Sequence, residues 1–66
     1  MIELTYARVR LGWSKAQLAR ESKVDQSLIS RFESGFAKPY PVQAARIADA
    51  LGWDGNPSAL FDEADD

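Results

Sequence analysis

Stop signals recur so often in this chain that no helix in it can run beyond about three turns. Gly12, Gly35 and Gly52 each follow a stretch with apolar residues at helical spacing, and Ser14, Asp25 and Pro41 each precede the next one. Glycine adopts the left-handed backbone that closes a helix, while Ser, Asp and an initial Pro suit its start. The chain must therefore fold as several short helices that cover one another's apolar faces.

The stretches read as follows. "LTYARVRLG" sets Leu4, Ala7 and Leu11 on one face before Gly12. In "SKAQLARES" Ser14 with Gln17 has capping-box spacing, so a second helix starts at Lys15 and turns Leu18 and Ala19 inward. "DQSLISRFESG" is a helix with its own punctuation: Asp25 can accept from the amides of Ser27 or Leu28, Ile29 and Phe32 form a buried i, i+3 pair, and Gly35 ends it. Capping at both ends selects helix over a strand across Leu28–Phe32. After "FAKPY", Pro41 opens a fourth helix with an apolar stripe of Ala44, Ile47, Ala48 and Leu51 that stops at Gly52. "DGN" before Pro57 is turn chemistry, with Asn56 as a cap, and predicts a short fifth helix from Ser58 to about Glu63. The fold expected is all-α, a compact five-helix bundle.

With 66 residues the chain is one domain near the lower size limit for a self-sufficient core. We place the domain at 1–61 and an acidic, solubilising tail at 62–66. No apolar run approaches the roughly 20 residues of a membrane span, and the charges scattered through "MIELTYARVRLGW" do not resemble a secretory signal, so a cytoplasmic location is expected. The absence of Cys and His removes thiolates and imidazoles, the commonest nucleophile, base and metal ligands. No cofactor, metal site or catalytic constellation is expected, and the chain does not read as an enzyme.

The formal net charge of −2 hides a polarised distribution. Residues 1–48 carry all eight basic side chains (Arg8, Arg10, Lys15, Arg20, Lys23, Arg31, Lys38, Arg46) against four acidic ones, and the remainder carries six acidic ones (Asp49, Asp54, Asp62, Glu63, Asp65, Asp66). Salt screens each charge within about 8 Å, so the first part can present a cationic surface to a polyanion. The acidic segment is then expected away from that surface.

Only about three residues, 23–25, separate the second and third helices, which selects the sharp crossing of a helix-turn-helix and leaves the start of the third helix protruding. Its outward positions lack the Glu and Lys of an ordinary solvated face. Instead Gln26 suits adenine, Arg31 guanine or a phosphate, Ser27 either kind of partner, and Leu28 a thymine methyl, which is the chemistry of the DNA major groove. Ser14 and Lys15, at a helix start where backbone amides favour an anion, suit a phosphate.

The run from "WSKAQLARESKVDQSLISRFESG" through "PYPVQAARIADALGW" resembles the phage Cro and repressor type of helix-turn-helix, the XRE family, and covers nearly the whole chain. The resemblance implies the lambda repressor-like fold and a sequence-specific regulator of transcription, acting as a repressor and binding double-stranded DNA as a homodimer. It implies base-facing positions for Gln26, Ser27 and Arg31, with Leu28 beside them, and backbone-contacting positions for Lys15, Ser34 and Lys38. It also implies an interior ion pair between Arg8 and Glu33. Three positions depart from the pattern: Lys23 where Gly is usual, Ser22 where an apolar residue is frequent, and Tyr40 where a Ser, Thr or Asp cap is expected. The runner-up is an antitoxin-like or other protein-interaction module in which Leu60, Phe61 and the acidic tail engage a protein partner. Trp13, Phe32 and Trp53 read as core, whereas Phe36 and Tyr40 have no obvious core position and can flank DNA, form a dimer contact or be partly buried.

Overall fold

The computed structural model describes residues 1–64. Four α-helices follow in order: α1 (Glu3–Arg10), α2 (Lys15–Ser22), α3 (Gln26–Ser34) and α4 (Pro41–Leu51). A 3-10 turn over Pro57–Phe61 completes them. The fold is all-α, and among the described residues extended pairing is confined to one antiparallel bridge between Ile2 and Glu63.

Each of the five elements places one side chain fully out of solvent: Leu4, Leu18, Ile29, Ile47 and Leu60. Burying each contributes roughly 1.5–3 kcal/mol before chain entropy is set against it. Ile2, Val24, Phe32 and Ala48 fill in around them, and Trp13 and Trp53 close the edge, half-buried, with the Trp53 Nε1–H donating to the Asn56 carbonyl at 3.1 Å. α4 is the common support, packing against both α2 and the 3-10 turn.

The punctuation acts as its residue types dictate, with four differences. Leu11 does not extend the α1 stripe; it stands one residue past the helix, 48% exposed, and Thr5 takes a buried position on α1. At the start of α2 the Ser14 hydroxyl accepts from the Gln17 amide at 3.1 Å, but the Gln17 side chain turns to Glu21 and Arg20, so only half of the capping box forms. The last element is a 3-10 turn ending at Phe61, not an α-helix reaching Glu63, because Pro57 and the Asn56 cap on Ser58 leave too few residues before the chain turns away. The chain then runs beside the N-terminus: Glu3 N–H donates to the Asp62 carbonyl and Ala64 N–H to the Met1 carbonyl, both at 3.0 Å, and the terminal ammonium meets Glu63 at 3.2 Å. Asp62–Ala64 are therefore tied down. Asp65 and Asp66 lie outside the described residues.

Candidate nucleic-acid interface

The turn between α2 and α3 resolves both of its sequence departures. Lys23 adopts the left-handed conformation, φ 59° and ψ 31°, alone among the described non-glycine residues. That conformation costs an L-residue roughly 1–2 kcal/mol. Ser22 is buried, and its hydroxyl donates to the Leu18 carbonyl at 2.7 Å while accepting from Val24 N–H at 3.3 Å, so a polar side chain fits the interior with its bonds made. Val24, 5% exposed, then anchors the chain as α3 begins.

α3 starts at its cap. The Asp25 carboxylate accepts from the Ser27 amide at 3.2 Å and from the Ser27 hydroxyl. The Ser27 hydroxyl is the main cause holding the Asp25 carboxyl below the ordinary carboxylate range, helped by the amides of Ser27 and Leu28 and by the charge of Arg31. Gly35 ends the helix at φ 83°, letting Phe36 N–H return to the Arg31 carbonyl at 2.9 Å.

At about 100° per residue, α3 divides into two faces. Ile29 and Phe32 point into the core. Gln26, Ser27, Ser30, Arg31 and Ser34 share the opposite face, all exposed except Ser30, which is half-buried. Leu28 is half-buried and packs against the core, unlike the exposed Gln26, Ser27 and Arg31. Ser30 went unnoticed in the sequence, although its i+4 spacing from Gln26 puts it on that face. The Ser27 hydroxyl proton is committed to Asp25, which leaves its oxygen an acceptor towards an incoming group, whereas the exposed Ser34 hydroxyl donates to the Ser30 carbonyl at 2.8 Å and meets a phosphate only by turning that proton away from the carbonyl.

Lys15, the first residue of α2, reaches across to this face, its Nζ donating to Ser30 Oγ at 3.4 Å. A cation thus stands beside the middle of α3, next to the capped start of α2 at Ser14. Lys38 is exposed in the loop after α3. Phe36 and Tyr40 are exposed as well, at 86% and 74%, which removes partial burial as their explanation.

Behind the exposed face lies a dense polar contact. Glu33 accepts from Arg8 Nε at 2.9 Å, from the other Arg8 terminal nitrogen at 3.0 Å and from the Thr5 hydroxyl at 2.9 Å. The remaining Arg8 nitrogen donates to the Trp13 carbonyl at 2.8 Å. The two ionic side chains are 13% and 6% exposed. A bidentate pair fixes direction as well as distance. One contact therefore ties α1, the α1–α2 turn and the end of α3.

The geometry is that of two short helices crossing at a tight turn, with the second presenting a polar face next to a basic residue. A family model described as helix-turn-helix domain matches residues 2–61, and the chain belongs to that DNA-binding family. No curated protein and no solved structure matches it. Among the described residues no helix is long and apolar enough to cross a membrane.

Proposed function

We propose that the chain is the operator-reading domain of a Cro/repressor-type (XRE) regulator that binds double-stranded DNA as a homodimer and represses by occupying its site. The observation that carries this is the outward face of α3, where Gln26, Ser27, Ser30, Arg31 and Ser34 are polar, uncommitted to the core and flanked by Lys15. An α-helix with such a face fits the major groove, where amide and guanidinium side chains distinguish base pairs. Gln26 and Arg31 are assigned to base edges, Ser27 to an acceptor role at a base amino group, and Leu28 at most to a methyl contact at the rim. Ser14, Lys15, Ser34 and Lys38 are assigned to the phosphate backbone, where contacts set register.

The antitoxin-like alternative loses residues it needs, because Leu60 is fully buried and Phe61 half-buried against Phe32. Selection from a randomised duplex library tests the proposal. A two-fold symmetric consensus is expected, with affinity falling steeply as salt rises. Failure to enrich any sequence, or retention that ignores salt, would return the chain to a protein-binding role.

A further inference from the structure

An apolar groove of about 380 Å³ opens between the loop after α3, the start of α4 and the 3-10 turn. Its walls include Pro39, Pro41 and Pro57, whose rings fix the backbone, so the groove is preformed and little entropy is lost on filling it. Phe61 also lines it, and its ring stands edge-on to Phe32 of α3, with centroids 5.8 Å apart and an interplanar angle of 86°. Lys38 and Asp62 both border the groove, and neither has an ion-pair partner among the described residues. Two residues before Lys38 is Phe36, the most exposed large apolar side chain of the described residues, with exposed Tyr40 following.

We propose that this groove seats Phe36 of a second copy of the chain, in a two-fold dimer in which Lys38 of each copy faces Asp62 of the other. A two-fold interface must be self-complementary, so a projecting group needs its receptor, and a cation its anion, on the same patch. Here a rigid apolar groove carries one charge of each sign at its border, and the exposed aromatic stands in the same loop, two residues before Lys38. A single aromatic inserted in a preformed apolar site is also the usual form of an interface hot spot. The proposal deepens the DNA-binding reading by naming the dimer surface, and its placement in the reading rests on that function. The patch adjoins the C-terminal end of α3, so the two α3 helices flank the two-fold axis.

The test has two arms, sedimentation equilibrium without DNA and titration of duplexes carrying one or two half-sites. The two-half-site affinity divided by the square of the one-half-site affinity reports cooperation between copies and cancels any phosphate contact that Lys38 makes. Phe36→Ser is expected to weaken self-association or cooperation by at least about tenfold. Lys38→Asp and Asp62→Lys are each expected to weaken it, and the double reversal to restore it while each protein keeps its helical circular dichroism. A chain that stays monomeric in both arms, an unchanged association in Phe36→Ser, or single reversals that the double does not rescue would overturn the interface. Sedimentation tests the dimer even if no duplex binds, so failure of the interface and failure of the DNA-binding reading are separately visible.

Discussion

The two ends of α3 are held by different means. At the C-terminal end Glu33 is almost buried and takes three hydrogen bonds from Arg8 and Thr5. At the N-terminal end Asp25 caps the helix in open solvent, and Gln26 and Ser27 are exposed. A helix that must present free side chains at one end and still keep a fixed direction has to take its orientation from the other. Buried ions cost several kcal/mol each to desolvate, which is offset only when their geometry is good and their remaining bonds are made. Arg8 and Glu33 meet that condition, and no buried side-chain polar atom lacks a partner among the described residues.

The comparison breaks most visibly at Arg8. Arg8→Ala would leave Glu33 as a charge in the interior without a counter-ion, and we expect a loss of about 3–5 kcal/mol in unfolding free energy, severe for so small a domain. Arg8→Lys should recover only part of it, since an ammonium cannot make the bidentate pair. Urea denaturation measures both. An unchanged midpoint in Arg8→Ala would mean that α3 takes its orientation from the apolar core alone.

The same contrast marks how far the sequence could be read. Helix ends were legible because caps and glycines are local: Ser14, Asp25, Gly35, Pro41 and Gly52 act within a turn of their own position. The Arg8–Glu33 pair was legible only through family resemblance, because nothing in the spacing of residues 8 and 33 brings them together. The half-burial of Leu28 is legible from the periodicity set by Ile29 and Phe32, which places position 28 beside the core. The pairing of Asp62–Ala64 with Met1–Glu3 had no local signal, since it forms only once α1 and the 3-10 turn have packed. At Ser22, the long-range requirement for an apolar residue is relaxed by two short hydrogen-bond paths within its own turn.

At the free end, effects should appear in binding and not in folding. Gln26→Ala is expected to cost roughly 1–3 kcal/mol on the preferred duplex and little on random DNA, with stability changed by less than about 0.5 kcal/mol. Lys15→Ala should weaken all sequences alike and lower the salt slope by about 0.9, one phosphate contact's share. Matched titrations on specific and random duplexes across a salt series separate the two. If both variants behave alike, the division between reading and holding on this surface is wrong.

A smaller effect sharpens the picture of the turn that joins the helices. Lys23→Gly removes a left-handed cost of roughly 1–2 kcal/mol but adds about 0.5–1 kcal/mol of unfolded-chain entropy, leaving a net stabilisation on the order of 0.5–1 kcal/mol. Thermal unfolding should show a modest rise in midpoint. A fall would mean that the Lys23 side chain makes a contact worth more than its strain.

The smallest expected effect lies at the cap of the free end, and it is visible mainly in acid. The Ser27 hydroxyl, the Ser27 and Leu28 amides and the charge of Arg31 lower the folded-state pKa of Asp25. A carboxyl lowered on folding adds stability that is complete above its unfolded value and is lost as pH falls through its folded value. Asn caps a helix about as well as Asp but does not titrate. Asp25→Asn should therefore match the parent in thermal midpoint near neutral pH, and lose less of that midpoint as the solution is taken down to about pH 3, below the unperturbed Asp value. The size is small because the group is fully exposed and salt screens its partners. Parallel midpoint curves for the two proteins would assign the acid sensitivity to other carboxylates. α3 would then be held almost wholly from its C-terminal end, with Asp25 serving only to satisfy an amide.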